Sequence, residues 1–422
     1  MGERDIDVVV FGATGVTGRR VAAYLAQRAS ETGARWAAAA RDAAKLERVL
    51  DEDGVSSPET IVADIRDPTS LAAMASRARV VLNLVGPYTL YGAPVIEACV
   101  AGGAHYADLT GEIPFVRQTI DAFDARAAEA RVKLVQVCGF ESLPPDLAVL
   151  LAAETARERW GEGLAAADLE VSVQGPPGLP RPSDMLSGGT LQSMVAAASG
   201  ENPSAVTDPA ALITDPVAAD KVRRRSPIAV SPRRGAGGAV IAPMAPAAFI
   251  NPAVIQRTAA LLAAEDGGGA EPFRYREGIA LRGATGSLPL RYAAASVLSG
   301  TQAALAGVSR ARPSVRRRVA GAMRAIFPSS GFGPAADRLQ GWTWRMSLEA
   351  HTSGGHDVRV EIDAEGHPGY LATARMLGEA GLLLAEQGIT PERAGCLTPA
   401  MALGTSCLQR FERARLRFSL DA

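Results

Sequence analysis

Three glycines near the start of the chain, Gly12, Gly15 and Gly18, have the spacing that most clearly indicates chemistry. They follow a β-branched apolar run and precede a segment with helical periodicity. At such a turn, glycines let a pyrophosphate approach bare main chain at a helix N-terminus, although an ordinary glycine-rich turn is the alternative. The predicted dinucleotide-binding residues here are Gly12, Ala13, Thr14, Gly15, Val16, Thr17 and Gly18.

The end of the second predicted strand, "ARWAAAAR", distinguishes between the two nicotinamide dinucleotides. An NAD site places an acidic side chain there for the ribose 2′-hydroxyl, whereas an NADP site needs a cation for the 2′-phosphate. Arg41 ends this strand and Lys45 follows four residues later. The sequence therefore predicts NADP(H) as cofactor, and Asp42 keeps NAD as the alternative.

Two further strand ends are expected to contact the cofactor, because ligands bind beyond the carboxyl ends of the strands in an open α/β sheet. Asp64 ends "TIVAD" and is placed on the adenine side. The segment "VVLNLVGPY" ends the fourth strand, and we place its turn beside the nicotinamide ribose. The residues that this segment contributes to the prediction are Asn83, Gly86 and Pro87.

The elements that must position these residues alternate regularly from residue 6 to about residue 138. Six short apolar runs of strand character alternate with five segments of helical periodicity. Such alternation builds βαβ units with right-handed crossovers and a mostly parallel sheet. The fold class is therefore α/β, with an N-terminal Rossmann domain, a doubly wound parallel sheet, over residues 1–145.

The pattern changes in the second half of the chain. Polar and apolar residues alternate at every second position in "ADLEVSVQG", "GWTWRMSLEAHTS" and "GHDVRVEIDAE", which is typical of antiparallel strands with one covered face. We predict a substrate and dimerisation domain of α+β class, with a largely antiparallel sheet, over residues 146–366. Residues 367–422 are predicted to form a helix, "GYLATARMLGEAGLLLAEQG", and a tail that packs back on the Rossmann domain.

Several stretches resemble the saccharopine dehydrogenase-like oxidoreductases, and within that family the actinobacterial branch of trans-acting enoyl reductases of polyketide-derived lipid synthesis. The resemblance covers nearly the whole chain and implies NADP-linked reduction. It departs from the family at Glu141, where Asp is usual, and at Pro145, where a small polar residue is usual. The stretches that carry it are "GATGVTG", "NLVGPYTLYGAPVIEACVAGGAHYADLTGE", "CGFESLPPDL", "SGGTLQSM", "GHPGYLATARMLGEAGLLLA" and "LTPAMALG".

The resemblance implies reduction of an enoyl or related lipid-like acyl substrate, free or bound to an acyl carrier. Such a reaction needs a hydride, a donor to the enolate oxygen and a proton for the α-carbon. We expect Tyr88 to be a donor near the nicotinamide, and Glu112 and Glu141 to shape the pocket. Further polar groups near the strand ends are Tyr91, His105, Tyr106, Asp108 and Ser142.

Two other functions remain open from the sequence. An amino-acid-type dehydrogenase, which makes or breaks a secondary amine, would need cations around its substrate carboxylates. Arg345 and Arg359 lie on predicted strands of the second domain, and the sequence does not show which way they face. A non-catalytic NADP-binding scaffold at a lipid surface would bind the cofactor without turnover.

Composition narrows the environment and the partners. The 422 residues are 47% hydrophobic and 21% charged, and the net charge of -1 gives no whole-chain attraction to nucleic acid or to an anionic membrane. Because no signal-peptide pattern opens the chain, we expect a cytoplasmic location, with peripheral membrane contact as an alternative. The four cysteines and four histidines lack ligand spacing, so we expect no metal and buried, reduced thiols.

Two adjacent stretches concern partners. Residues 287–309 carry a single charge, Arg291, but are too polar for a transmembrane span. We expect a buried helix, with a membrane-surface or dimer contact as the alternative, and a homo-oligomeric protein. The next stretch is basic and could dock an acidic acyl-carrier domain, or be a solvated face. Its arginines are Arg310, Arg312, Arg316, Arg317 and Arg318.

Overall fold

The computed structural model describes residues 4–56, 59–177, 203–243, 246–265, 267, 271–283, 286–326 and 336–422. The motif "SGGTLQSM" lies outside these residues. Within them the chain forms two seven-stranded sheets, with helices packed around both.

The first sheet contains the six strands predicted for the N-terminal domain, and all its strand pairs are parallel. Its order, β13-β6-β5-β4-β1-β2-β3, includes the 3-2-1-4-5-6 arrangement of a doubly wound dinucleotide-binding domain. The Rossmann prediction is confirmed. The strands are β1 Ile6–Phe11, β2 Trp36–Ala40, β3 Thr60–Val62, β4 Ala78–Asn83, β5 His105–Asp108, β6 Lys133–Val135 and β13 Gly395–Leu397.

Five helices connect the first six strands and cover the sheet. Because both faces are covered, the strands β1 and β2 are apolar almost throughout, including the buried alanines of "WAAAA". One helix begins earlier than the periodicity indicates, at Tyr88 rather than near Ala93. The helices are α1 Val16–Thr32, α2 Ala43–Glu52, α3 Pro68–Arg77, α4 Tyr88–Gly102 and α5 Ile113–Glu129.

The second sheet has the order β14-β12-β11-β7-β10-β9-β8. Its pairs are antiparallel except that of β7 with β10, so the sheet is mixed and the prediction of a largely antiparallel sheet is confirmed. Buried and more exposed residues alternate along β11 and β12, as expected for one covered face. The strands are β7 Leu164–Gln174, β8 Arg233–Arg234, β9 Val240–Ala242, β10 Arg274–Leu281, β11 Thr343–Thr352, β12 Asp357–Glu365 and β14 Leu416–Asp421.

The described residues contain seven further helices, which pack against the second sheet or join the two sheets. Among the helices of the described residues, α8 has the length and hydropathy that a membrane span requires, and 61% of its most apolar stretch is buried inside the protein. It packs against α6 and β10. The helices are α6 Leu143–Trp160, α7 Pro216–Arg225, α8 Ala247–Glu265, α9 Leu288–Ser309, α10 Pro313–Ile326, α11 Thr373–Ala385 and α12 Pro399–Leu403.

The helix expected from residues 287–309 forms as α9, but it is not buried as predicted. One narrow stripe faces the protein, and Val297 on the outer side is 73% exposed. The prediction of a buried helix is therefore wrong for most of its surface, because its small and polar residues do not demand burial on every side. A contact of this outer face with a membrane or a second subunit stays a prediction. The buried stripe consists of Ala295, Ser299, Gln302, Ala306 and Ser309.

The C-terminal segment 367–422 is shared between the two sheets. Its helix α11 packs against α1 and strand β4, and β13 extends the first sheet beside β6. The last strand, β14, pairs instead with β12 of the second sheet, and so provides hydrogen-bond partners for the main-chain groups of β12 that β11 does not use. The expectation was that the whole segment packs on the Rossmann domain. Its helix and β13 do so, whereas β14 belongs to the second sheet. The boundaries 1–145, 146–366 and 367–422 stay predictions.

A buried carboxylate joins α11 to α1. Glu379 is fully buried and accepts hydrogen bonds from the Tyr24 hydroxyl at 2.8 Å, from Arg28 Nε at 3.1 Å and from Arg410 Nε at 3.2 Å. Arg28 is also buried. A charge removed from water is stable only when it is paired in this way.

We expect Glu379→Gln to lower the free energy of unfolding by roughly 3 kcal/mol, because it removes the buried counter-charge of Arg28 and leaves only the partly exposed carboxylate of Glu31 to pair with it. Urea denaturation measures the change. The control is Glu386→Gln, which removes a surface partner of Arg410 and should cost less than about 1 kcal/mol. Equal losses in the two variants would contradict a role for the buried ion pair.

Candidate active site

A cavity of about 570 Å³ lies at the carboxyl ends of strands β1, β2 and β4. This is the edge at which ligands bind in an open parallel sheet. Helices α8 and α9 of the second half close its other side. The predicted cofactor residues that line the cavity are Gly12, Thr14, Gly15, Val16, Thr17, Gly18, Arg41, Lys45, Asp64, Gly86 and Pro87.

The glycine turn forms a cradle that side chains would fill. Gly12 has a φ of +91°, and a Cβ on Gly18 would overlap the Gly12 carbonyl oxygen. Gly15 is the N-cap of α1 and has no side chain to cap the first-turn N–H groups, which leaves them for an anion. The cradle therefore fits the diphosphate of a dinucleotide, as the spacing of the glycines predicts.

The end of β2 places cations at the cavity rim. Within the described residues, the side chains of Arg41 and Lys45 form no ion pair, and both line the cavity. Asp42 also lines the cavity, but its Oδ1 accepts a 2.9 Å hydrogen bond from the Lys45 main-chain N–H and caps α2. A guanidinium and an ammonium without carboxylate partners fit a 2′-phosphate better than a 2′-hydroxyl.

Asp64 also lies at this rim, on the side predicted for adenine. Its carboxylate accepts hydrogen bonds from the side chain and the main chain of Arg66, and these bonds lower the pKa of Asp64. Asp64 is therefore ionised at neutral pH and already has a cationic partner. Its contact with the cofactor stays a prediction.

Asn83 and Ala13, the other predicted cofactor residues, do not line the cavity. Both are fully buried. The Asn83 amide donates to the Tyr106 hydroxyl at 3.1 Å, and its oxygen accepts from the Val85 N–H at 3.0 Å. Asn83 thus fixes the loop that leaves β4, and a direct contact with the nicotinamide ribose stays a prediction without geometric support.

Glu112 lies behind the cavity wall and does not face a ligand. Its carboxylate accepts from the N–H groups of Tyr88 at 3.0 Å and Thr89 at 2.8 Å, and also from the Thr89 hydroxyl. These are first-turn groups of α4, which attract a negative charge through the helix dipole. The carboxylate holds the start of α4, and the expectation that Glu112 shapes the pocket stays a prediction.

Tyr88 contributes its ring to the cavity wall, but its hydroxyl points away. The hydroxyl donates to the Asn83 carbonyl at 3.1 Å and accepts from the Leu109 N–H at 3.4 Å. Burial raises the pKa of Tyr88 well above its ordinary value. In this arrangement the phenolic proton is used by the main chain, so a donor role toward substrate stays a prediction.

Glu141 is the predicted catalytic residue whose position suits proton transfer. It lines the cavity in the turn before α6, and its Oε2 lies 3.5 Å from where a Cβ on Gly139 would be. Burial raises the pKa of Glu141, which favours the protonated acid. A protonated carboxyl in a cavity wall can act as a general acid.

Asp108 stabilises two loops whose residues Thr110 and Val137 line the cavity. It is fully buried and accepts from the Tyr106 hydroxyl at 2.8 Å, the Thr110 N–H at 3.0 Å and the Val137 N–H at 3.3 Å. Burial raises the pKa of Asp108 to about 7. Val137 has a φ of +58°, which is rare for a β-branched residue, and Asp108 helps to hold it there.

Among the remaining candidates Ser142 lines the cavity, whereas His105 has a structural role. His105 Nδ1 accepts from the Lys133 N–H at 3.0 Å, and burial lowers the pKa of His105 to about 4. All four cysteines are free and buried, as expected. Among the described residues, no three His, Cys, Asp or Glu side chains form a group that could hold a metal.

The sequence did not reveal the apolar half of the cavity. Its side chains come from a 3₁₀ turn at residues 203–207 and from α8 and α9, far along the chain from the glycine motif. The fit is close, because a Cβ on Gly111 would lie 2.8 Å from Ile250 Cδ1. Nothing in the periodicity of α8 or α9 marks these positions. They are Val206, Phe249, Ile250, Leu305 and Val308.

An apolar compartment that opens into the same cavity as a dinucleotide cradle keeps water away from a transferred hydride. With cations at the end of β2, where this fold class binds the adenosine ribose, this arrangement is that of an NADP-dependent oxidoreductase. The saccharopine dehydrogenase NADP-binding domain family matches residues 8–135 of this chain, which confirms the predicted NADP(H) cofactor.

The similarity to known proteins extends over almost the whole chain. A candidate trans-acting enoyl reductase of Mycobacterium tuberculosis is 34% identical over 97% of this chain and 96% of its own length. The trans-acting enoyl reductase of Mycobacterium ulcerans is 33% identical over the same shares. The chain belongs to the saccharopine dehydrogenase-like family of oxidoreductases, as the resemblance of its motifs indicated.

Two solved structures share the fold at low sequence identity. Saccharopine dehydrogenase of Saccharomyces cerevisiae has a TM-score of 0.51 and 12% identity, covering 99% of this chain and 100% of its own. Homospermidine synthase of Legionella pneumophila, solved with NAD, has a TM-score of 0.51 and 10% identity, covering 99% and 91%. Both confirm the two-sheet architecture.

We expect Arg41→Ala to weaken NADPH binding roughly 10- to 100-fold and NADH binding much less, because only NADPH carries the 2′-phosphate that a guanidinium would bind. Isothermal titration calorimetry with each cofactor measures the two dissociation constants. Arg48→Ala is the control, since Arg48 is also exposed on α2 but does not line the cavity. Equal weakening of both cofactors by Arg41→Ala would refute the assignment.

Proposed function

We propose that this protein is an NADPH-dependent enoyl reductase that acts on an acyl chain carried as a thioester. The observation that carries the proposal is the lining of the cavity. The glycine turn, the apolar compartment and Glu141 all line the same cavity. The two mycobacterial relatives described above are named trans-acting enoyl reductases, which supports the same substrate class.

When bound, NADPH would supply the hydride that the β-carbon of an enoyl thioester accepts. The electron pair of the C=C bond then moves toward the α-carbon and the thioester oxygen, and the α-carbon takes a proton. Glu141 is positioned to give that proton, and its raised pKa keeps it protonated at higher pH than a solvated glutamic acid. Phe249, Ile250 and Leu305 would hold the acyl chain away from water.

An amino-acid substrate fits this cavity poorly. In the described part of the chain, the only cations that line it are Arg41 and Lys45, at the end proposed for the 2′-phosphate. Arg345 pairs with Asp363, and Arg359 pairs with Glu349, on the exposed face of the second sheet. Neither arginine is available to bind a substrate carboxylate in this cavity.

A basic surface next to the cavity suits an acidic acyl-carrier domain. Leu305, Val308 and Ser309 of α9 line the cavity, and Arg310 follows directly. Arg317 and Arg318 are exposed on the next helix, α10. A carrier that docks here would present its thioester near the apolar compartment, and opposite charges would steer the encounter. The proposal also includes that the protein self-associates, that it is located in the cytoplasm, and that it contacts a membrane surface peripherally.

We expect the purified protein to oxidise NADPH in the presence of a crotonyl-type thioester, and Glu141→Gln to lower turnover about 100-fold, because an amide cannot give up a proton as a carboxylic acid does. The wild-type rate should fall as pH rises through the raised pKa of Glu141. The variant should lose that dependence. Absorbance at the NADPH band measures both rates.

The control is NADPH affinity, which Glu141→Gln should leave nearly unchanged. Binding of NADPH without oxidation by any enoyl thioester would favour the non-catalytic scaffold. Oxidation of NADPH with 2-oxo acids and amines, but not with enoyl thioesters, would favour the amino-acid-type dehydrogenase.

We expect reversal of charge at residues 316–318, by the substitutions Arg316→Glu, Arg317→Glu and Arg318→Glu, to abolish activity on a carrier-bound enoyl substrate and to spare a free thioester. The carrier would meet like charges, whereas a free thioester does not depend on that surface. Steady-state kinetics with both substrates measures the difference. Equal responses of the two substrates would exclude docking at α10.

A further inference from the structure

A fully buried asparagine connects the cavity wall to the second sheet. Asn251 lies on α8 and is 1% exposed. It does not line the cavity, but it contacts two residues that do, Glu141 and Ser142. Behind it lies Glu277 of β10, which is also buried.

The hydrogen bonds of this amide fix its orientation. Asn251 Nδ2 donates to the Glu141 main-chain oxygen at 2.6 Å and to Glu277 Oε2 at 2.7 Å. The Glu141 main-chain oxygen can only accept, so the reversed amide would set Oδ1 against it at 2.6 Å without a proton between the two oxygens. Oδ1 must therefore face Ser142, and the Ser142 hydroxyl donates to it at 2.7 Å.

This orientation decides what the two cavity residues can offer to a ligand. Because the Ser142 proton is used by Asn251, the Ser142 hydroxyl oxygen can serve any further partner only as an acceptor. The Glu141 main chain is held at the same time, which limits where its carboxyl group can reach. The acceptor and the acid are thus next to each other in the chain and have opposite hydrogen-bonding roles.

The other end of the network is a carboxylate with a fixed acceptor role. Glu277 Oε2 accepts from Asn251 and also from the Tyr275 hydroxyl at 2.6 Å. Burial raises the pKa of Glu277 to about 7. Since one oxygen serves both donors, the network needs an acceptor at that point and does not need a second carboxylate oxygen.

We propose that Asn251 is a positioning residue for proton delivery: it holds Ser142 as an acceptor and Glu141 as the remaining donor, and Glu277 fixes its amide. The inference rests on the proposed enoyl reduction and adds a residue of the second half of the chain to that site. Buried networks of this kind fail as a unit when one member loses its partner.

The test compares Asn251→Leu with Gln256→Leu in the full-length protein. Gln256 lies on the same helix, is equally buried, and donates to the Phe273 carbonyl at 2.9 Å without lining the cavity. We expect Asn251→Leu to lower kcat on an enoyl thioester roughly 10- to 100-fold, since small misplacements of a reacting group cost about that much. NADPH affinity should change less than about 2-fold, and Gln256→Leu should keep kcat.

Isotope effects separate positioning from a general loss of structure. Slower protonation in Asn251→Leu should raise the solvent deuterium isotope effect on kcat and lower the effect of deuterium at the transferred position of NADPH. Unchanged isotope effects, or equal kcat losses in Asn251→Leu and Gln256→Leu, would overturn the inference.

Two changes at Glu277 keep the inference testable if Asn251→Leu does not fold. Glu277→Gln retains one oxygen for both donors and should keep kcat within about 3-fold, whereas Glu277→Leu should lose as much as Asn251→Leu. Equal kcat in the two Glu277 variants would refute the proposed role. If the wild-type protein binds NADPH but reduces no enoyl thioester, the proposed function itself fails, and this inference fails with it.

Discussion

The main chain of Gly12 and that of Gly18 approach so closely that any side chain on Gly18 would overlap the Gly12 carbonyl oxygen. The same turn touches the loop after β4, because a Cβ on Gly12 would lie 3.1 Å from the carbonyl carbon of Leu84. The start of α1, the end of β1 and the loop after β4 therefore meet in close contact. That contact fixes the start of α1, leaves its N–H groups open to the cavity, and sets the place where every other wall residue must converge.

Most of the buried acids near the cavity stabilise the main chain around it and do not face its interior. Glu112 fixes the start of α4, and Asp108 supports the loops at Thr110 and Val137. Asp146, in the first turn of α6, accepts from the Ala400 N–H at 2.8 Å and so joins that helix to the C-terminal segment. Their removal from water is offset by hydrogen bonds to main-chain N–H groups. Glu141 differs because it opens into the cavity, which is why it is suited to give up a proton.

The sequence predicted the first sheet and its cofactor well, because βα alternation and glycine spacing are local patterns with few structural solutions. The wrong prediction, that α9 is buried, and the features that the sequence did not reveal all concern long-range packing. Asn83 and Glu112 have the residue types of a site, yet main-chain groups use them for hydrogen bonds that only the fold reveals. Conversely, Phe249 and Leu305 form the cavity wall but resemble any other core residue in the sequence. Tyr88 shows both effects, since its ring reaches the cavity and its hydroxyl does not.

Strand β13 gives the first sheet an unusual dependence on the end of the chain. It adds residues 395–397 beside β6, although β6 ends at residue 135. During synthesis on the ribosome, the N-terminal sheet must therefore wait for more than 250 further residues before its edge is covered. A nascent chain stalled in that interval would expose the unpaired N–H and C=O groups of β6, which invite pairing with other chains. Translation rate and chaperone access would then govern the yield of active protein.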